Sequence, residues 1–396
     1  MKVAVLGQYP LDPARLGGGV EAAIAYAHAE LAALPGLELH YLACHPSISE
    51  PRRGVGLDGA VTYLPRGRFG RLTWHIAEVR ALVREIRGLA PDLVHAHGTG
   101  LYAGAALESG YPAVVTAHGI VAEEARLLTE RAAWARAARA RATLDIAYER
   151  WVVHRAQHMI VISPYVEHAF GGRIRGRTYL VENPCDERFF AVTRAPRPGT
   201  ILFAGSVIQR KGVLPLIHAF QRVRQQMPDT ELRIAGSLTV EADYARACQD
   251  AARALLPPRG ESVRFLGPLS RDELADEYAS CTLAVLPSFQ ETAPVAVEEA
   301  MAAGAPVAAT PVGGIPWMIA DGETGYILKA PLKVDGDPQV LADLLLRVLW
   351  DPHAKELGRR ARQVALRRFR ASVVAQRTRQ VYEQVLGVAP TGPACE

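Results

Sequence analysis

One rhythm runs through this chain twice and limits its fold more than any other feature. Short β-branched runs alternate with longer helical ones. KVAVLG, LELHYLAC, DLVHAH, AVVTAHG, MIVIS and TYLVEN read as strands, with VEAAIAYAHAELAAL and RLTWHIAEVRALVREIRG among the helices between them. A Pro/Arg-rich segment, AVTRAPRPG at 191–199, interrupts the pattern and reads as a linker. The pattern then restarts with TILFAGS, ELRIAGS, VRFLGP, TLAVLPS, PVAAT and GYILK, and ends in a helical tail. Strand–helix alternation implies parallel sheets covered on both faces. A restart in a chain of 396 residues, too long for one ordinary core, implies two such domains. The expected class is therefore α/β, with two Rossmann-like, doubly wound parallel-sheet domains facing each other across a cleft.

Composition narrows the partners. About half of the residues are apolar and the charged share is ordinary, which excludes a disordered chain. The net charge of +4 makes no demand for nucleic acid, and a mild positive field suits a small anion. The five cysteines, Cys44, Cys185, Cys248, Cys281 and Cys395, are scattered with no CxxC spacing, so neither a zinc knuckle nor a disulfide framework is expected. A reducing cytoplasm fits them. MKVAVLG reads as a strand, not a leader, and no apolar run reaches the length of a spanning helix.

In open parallel sheets, ligands bind beyond the carboxyl ends of the strands. The chemically interesting residues of this chain fall there. The glycines 17–19 come at some distance after the first strand, His97 and His118 close two others, Ser206 to Gly212 follow TILFAG, and Glu291 follows TLAVLPS. The stretch FQETAPVAVEEAMAAGAPVAAT (289–310) is apolar apart from three carboxylates, Glu291, Glu298 and Glu299. A buried carboxylate is costly unless something hydrogen-bonds it. Pro294 suits the first turn of a helix, which puts Glu291 just ahead of that helix and Glu299 more than a turn inside. A carboxylate accepts two hydrogen bonds at once and so suits a vicinal diol. The first N–H groups of the helix, with those of Ala293 and Val295, could meet hydroxyls or an anion. A solvated helix face is the plainer reading, above all for Glu298.

The segment from Ser288 to Gly325, SFQETAPVAVEEAMAAGAPVAATPVGGIPWMIADGETG, closely resembles the donor-site motif of retaining glycosyltransferases of family 4, two-domain enzymes of the GT-B fold that use nucleotide-activated sugars. GGGVE, VHAHG, VVTAHG, VISPYV, VENPCD, the KG of QRKG and FLGPLS extend the resemblance along the chain. It implies an acceptor-binding domain at 1–190, a nucleotide-sugar domain at 197–370, and a helix at 374–388 that crosses back to the first domain. It implies that Glu291 holds the sugar hydroxyls, Glu299 the ribose diol, and Lys211 the diphosphate leaving group, with Gly205, Ser206 and Arg210 beside it. Gly17, Gly18 and Gly19 would let a loop approach the ligand, and His118 would position the sugar. The reaction implied is transfer of a hexose-type sugar to an acceptor hydroxyl with retention, in glycan, glycolipid or small-metabolite glycoside synthesis. The nucleoside diphosphate sugar is a co-substrate and no cofactor is expected. Four positions depart from the family pattern. Ser206 stands where arginine is usual, Pro294 where many members have glycine, Trp317 where an acidic residue is common, and Glu298 where an apolar one is.

Other readings compete. His95 and His97 share one face of a strand, and with His118 they could bind zinc in principle. The only DxD triplet, Asp335 to Asp337, precedes Pro338 and reads as a turn, so no required metal is expected. Gly17-x-Gly19-x-x-Ala22 matches a dinucleotide fingerprint on paper, but it lies too far after the strand and no acidic residue ends the second strand. An NAD-dependent oxidoreductase is thus the weaker alternative, behind a sugar-nucleotide epimerase or hydrolase of the same fold or a non-catalytic sensor. In the helix after Leu72, Val79, Val83 and Ile86 share one face while Arg80, Arg84 and Arg87 share another, preceded by Arg66, Arg68 and Arg71. An amphipathic helix packed on its sheet explains this pattern. Peripheral contact with an anionic membrane at the inner face is the alternative.

Overall fold

The structure is a computed structural model. It describes residues 1–9, 11, 19–55, 59–67, 70–129, 135–255, 262–333 and 337–389. The chain divides into two compact units, Met1–Pro184 together with Ala371 onward, and Cys185–Arg370.

The first unit holds an eight-stranded sheet. Its strands are β1 (Lys2–Leu6), β2 (Glu38–His45), β3 (Arg52–Val55), β4 (Ala60–Pro65), β5 (Leu93–His97), β6 (Ala113–Ala117), β7 (His158–Val161) and β8 (Arg177–Leu180), in the order β3-β4-β2-β1-β5-β6-β7-β8. All neighbours are parallel except β3, which runs antiparallel to β4. β5 is buried at every residue, as expected of a central strand covered on both faces. The final helix, Ala371–Leu386, belongs to this unit. Its Val374, Ala375, Val381 and Tyr382 join Val3, Val5, Leu31 and Leu93 in one core cluster.

The second unit holds a six-stranded, all-parallel sheet. β9 (Thr200–Ala204), β10 (Glu231–Ala235), β11 (Val263–Gly267), β12 (Leu283–Leu286), β13 (Val307–Ala309) and β14 (Tyr326–Ile327) lie in the order β11-β10-β9-β12-β13-β14. Phe203 and Phe220, both without exposed surface, contribute about 1.5–3 kcal/mol each through apolar burial. The order reverses between β9 and β12, and likewise between β1 and β5 in the first unit. Those two positions are the switch points at which doubly wound sheets open a crevice.

Several local expectations change. β3 and β4 were not foreseen: Arg52–Val55 is exposed throughout and shows no apolar pattern. The helix expected from Arg71 begins only at Ile76, because Trp74 and His75 both take left-handed backbone (φ 49° and 57°) and break it from the 3-10 turn Gly70–Thr73. Its buried residues are Glu78, Leu82 and Ile86, while Arg80, Arg84 and Arg87 stay exposed. The Pro/Arg-rich segment is tied along the second unit, with Ala195 N–H donating to Ala279 O (3.0 Å) and Arg197 N–H to Ser280 O (2.8 Å). Asp337 caps the helix Pro338–Trp350 by accepting from Gln339 N–H (2.9 Å). Its partner in the DxD triplet, Asp335, lies outside the described residues. No described helix is long and apolar enough to cross a membrane.

Candidate active site

In the second unit, two loops flank the switch point. The loop after β9 runs from Gly205 to Gly212 and ends in the short turn Gln209–Lys211. Gly212 has φ 69°, and a Cβ there would stand 2.1 Å from Pro287 O in the loop after β12. Only glycine lets the two loops meet so closely. Phe289 N–H donates to Arg210 O (2.8 Å) and fastens them.

Glu291 is the focus of this meeting. It is 4% exposed. Lys211 Nζ donates to its Oε1 at 2.5 Å, Ser288 Oγ donates to the same oxygen at 2.7 Å, and Arg210 Nη1 reaches Oε2 at 3.3 Å. Arg210 also donates to Gln290 O (2.8 Å) and Gln290 Oε1 (3.2 Å). Burial by itself would raise the Glu291 carboxyl, but the Lys211 and Arg210 charges and the hydrogen bonds from Lys211 and Ser288 outweigh it and hold the group below the usual carboxylate range. Gly313 (φ 56°) backs Glu291, since a Cβ there would fall 1.4 Å from Glu291 O. Gly205 and Ser206 border the same loop. The Lys211 chain passes Gly205, its Cε 3.8 Å from where a Cβ would be, and Ser206 O accepts from Ile208 N–H (2.9 Å).

Glu299 lies on the helix Val295–Ala302. Pro294 is the residue before that helix (φ −75°, ψ 117°), not in its first turn as expected, because its extended ψ leaves the helix to begin at Val295. Ala293 precedes the cap and Val295 opens the helix, whose first N–H groups have no acceptor inside it. Glu299 is 8% exposed, and Tyr278 OH donates to its Oε2 at 3.3 Å and to Ala296 O at 3.0 Å. Burial pushes its carboxyl up to about 8. Tyr278, Arg271 and Lys211 oppose the rise and Asp186 adds to it. Glu298 is fully buried, so the solvated-face reading fails for it.

In the first unit, His118 follows β6, His97 ends β5, and His28 lies within the helix Gly19–Ala33. His97 Nδ1 is 2.8 Å from His118 Nε2, and His97 Nε2 is 3.2 Å from His28 Nε2. His95 is separately engaged, by Tyr382 OH at Nδ1 (2.6 Å) and by Thr116 Oγ1 at Nε2 (2.7 Å). Burial, with mutual repulsion, lowers all four rings: His28 to about 3, His118 to about 4 by burial alone, and His95 and His97 well below the usual value. They border a cavity of about 30 Å³ shared with Thr116, Glu182 and Asn183. Among the described residues, the three rings that gather their nitrogens within 4.8 Å are His28, His95 and His97, so the trio considered from sequence exchanges His118 for His28. Of the glycine run, Gly19 opens its helix, while Gly17 and Gly18 lie outside the described residues.

Sequence reasoning missed Ser288, Tyr278, Gln290 and His28. Ser288 sits in the quoted motif and carried a readable signal. His28 carried one too, as a polar residue within the apolar series Ala23, Ala27 and Leu31 of one helix face.

Comparison with known proteins now bears on the site. The model of Glycosyltransferase Family 4 matches residues 17–189, and that of Glycosyl transferases group 1 matches 198–351. The chain is 30% identical to glycogen synthase of Mycobacterium tuberculosis over 359 residues, covering 85% of this chain and 82% of that one. Among solved structures, it is similar to sucrose-phosphate synthase from Thermosynechococcus elongatus (TM-score 0.78, 22% identity, covering 98% and 99% of the two chains). It is similar also to Anabaena HepE in complex with UDP-glucose (TM-score 0.72, 19% identity, covering 98% and 100%). The two parallel-sheet units and these likenesses define a glycosyltransferase of the GT-B fold. Within that class the chain belongs to glycosyltransferase family 4, whose members retain the anomeric configuration and depend on nucleotide sugars.

Proposed function

We propose that this enzyme moves a hexose-type sugar from a nucleoside diphosphate sugar to an acceptor hydroxyl, with Cys185–Arg370 as the donor unit and the first unit as the acceptor unit. The observation that carries the reading is the cluster of Lys211, Arg210, Ser288 and Glu291 at the switch point of the second sheet. Two cations there face one carboxylate, which leaves one positive charge in excess. A diphosphate would draw Lys211 and Arg210 towards itself and free the Glu291 oxygens for sugar hydroxyls. Arg210, four residues beyond Ser206, would supply the second cation that the family usually takes from an arginine at the Ser206 position. Glu299 would hold the ribose diol, Ala293 and Val295 would offer backbone N–H groups, and His118 would position the sugar.

Reaction then proceeds on one face of the sugar. The bond from the anomeric carbon to the diphosphate oxygen breaks, the bond to the acceptor oxygen forms, and the acceptor's proton passes to the departing diphosphate. Charge grows on that diphosphate as the bond breaks, and a preorganised ammonium stabilises it there. Lys211 and Arg210 perform this neutralisation, so the mechanism assigns no role to a metal. UDP-glucose, the ligand in the HepE complex, is the first donor to test.

The test is product analysis by NMR with a panel of nucleotide sugars and hydroxyl acceptors. A glycoside with the donor's anomeric configuration is expected, with turnover lowered in Glu291→Ala and donor binding weakened in Glu299→Ala. Near-normal activity in both variants overturns the assignment. Free sugar as the sole product, whatever acceptor is offered, would favour a hydrolase.

A further inference from the structure

Glu149 is a buried carboxylate that the reaction above leaves without a part. It lies on the helix Ala135–Arg155 and is 2% exposed. A carboxylate in such a place is costly unless hydrogen bonds satisfy it. Its Oε1 accepts two: Thr99 Oγ1 donates at 2.9 Å and Val121 N–H at 3.0 Å. Burial pushes the carboxyl up, and these two bonds oppose the rise.

The two donors come from different loops. Thr99 follows β5, two residues past His97, and Val121 follows β6, three residues past His118. Val121 opens the helix Val121–Thr129. Its N–H has no acceptor inside that helix, and the helix dipole favours a carboxylate at this end. Close packing brings Glu149 to the spot. The adjacent Tyr148 lies against Gly104 of the helix Leu101–Glu108, where a Cβ would overlap the tyrosine hydroxyl. Val152 and Val153, both without exposed surface, anchor the following turn. One oxygen thus ties the loop after β5 to the loop after β6, next to the two histidines whose rings meet at 2.8 Å.

We infer that Glu149 is a positioning residue for the transfer: it fastens the two loops that follow His97 and His118, and so fixes His118 against the sugar. This rests on the reading of His118 as the residue that positions the sugar. Glu149 acts through Thr99 and Val121, and what it supplies is an acceptor oxygen. Its part in the first unit matches that of Phe289 N–H and Arg210 O in the second, which fasten the loops after β9 and β12.

The experiment is long-range 1H–15N NMR of the full chain labelled at histidine, followed by kinetics with UDP-glucose and the acceptor that yields a glycoside. His97→Gln and His118→Gln assign the two rings. Glu149→Ala is expected to move the His97 and His118 ring signals and to leave those of the exposed His168 and His353 in place. Glu149→Gln, which keeps an acceptor oxygen, is expected to restore them. Turnover should fall about tenfold to a hundredfold in Glu149→Ala, the scale of a misplaced group, and recover most of that loss in Glu149→Gln. UDP affinity, set in the second unit, should be the same in all three proteins. Wild-type ring signals in Glu149→Ala, or wild-type turnover there beside a loss in His118→Ala, overturn the inference. A parallel loss of UDP affinity overturns it too, since that reports damage to the whole fold. If Glu149→Ala fails to fold, Thr99→Val decides: it removes one bond and keeps the carboxylate, and unmoved His97 and His118 signals there overturn the inference. Full turnover in both Glu149→Ala and His118→Ala, with moved ring signals, would keep the fastening of the loops and remove the sugar reading of His118.

Discussion

The two switch points of this molecule use the same backbone device for opposite electrostatic ends. In the second unit, the loops after β9 and β12 surround a buried carboxylate with two cations and keep it ionised. In the first, β5 and the residue after β6 surround imidazoles with other imidazoles and keep them neutral. A charged centre suits a ligand that brings charge, such as a diphosphate. A neutral cluster suits hydroxyls, which can meet each ring as donor or acceptor. The contrast recurs on a smaller scale between Glu291 and Glu299: the first has an ammonium at 2.5 Å, the second a phenol at 3.3 Å, and their carboxyls shift in opposite directions.

The largest expected effect comes from removing the charge that defines the second centre. Lys211→Ala should lower turnover about 10²- to 10³-fold, the typical loss of one preorganised charge-stabilising group, as measured by steady-state kinetics with saturating donor. A loss under threefold would mean that Lys211 merely braces Glu291.

The pair of glutamates offers a test by sign. Glu291 has a depressed carboxyl, so its stabilising contribution is present above the unfolded value of about 4.3 and is lost as pH falls through the lower folded value. Glu299 has a raised one. Between about 4.3 and its folded value of about 8, the folded state holds a proton that the unfolded state has released, so stability falls as pH rises through this window. The slope there is at most about 1.4 kcal/mol per pH unit. Denaturant unfolding from pH 2 to 9 should therefore show Glu299→Gln flattening the decline above about pH 4.3 and Glu291→Gln flattening the one below it. Identical slopes in the two variants would break the contrast.

A smaller effect is expected at Tyr278. Its hydroxyl lowers the Glu299 carboxyl, so Tyr278→Phe should move the pH at which nucleotide affinity rises upward, by no more than about one unit, the worth of a single hydrogen bond. Calorimetric titration across pH 6 to 10 reads this shift. A downward move would contradict the assigned bond.

The parts of the fold legible in the sequence were those with a strong period. All six strands of the second sheet and the six central and far-edge strands of the first announce themselves as apolar runs; the central ones, covered on both faces, have little else to show. β3 and β4 at the near edge escaped notice. β3 is exposed along its whole length and is held by pairing with β4, not by burial of its own side chains. The break at Trp74 and His75 escaped too, since tryptophan carries no signal for left-handed backbone and histidine only a weak one. Of the candidate site, Glu291, Glu299 and Lys211 were singled out through their motif. The partners of Glu299 and His97 were not, because Tyr278 and His28 reach them from separate helices, and spacing along the chain carries no record of such meetings.

The most direct test of the central claim is thermal and denaturant unfolding with UDP, GDP, ADP and NAD added separately, on the wild type and on Lys211→Ala. One nucleoside diphosphate is expected to stabilise the wild type, by about 2.7 kcal/mol at a hundred times its dissociation constant, and to lose most of that effect in the variant. Stabilisation by none of the three at millimolar concentration, or equal stabilisation of both proteins, would contradict a diphosphate site built on Lys211 and Glu291.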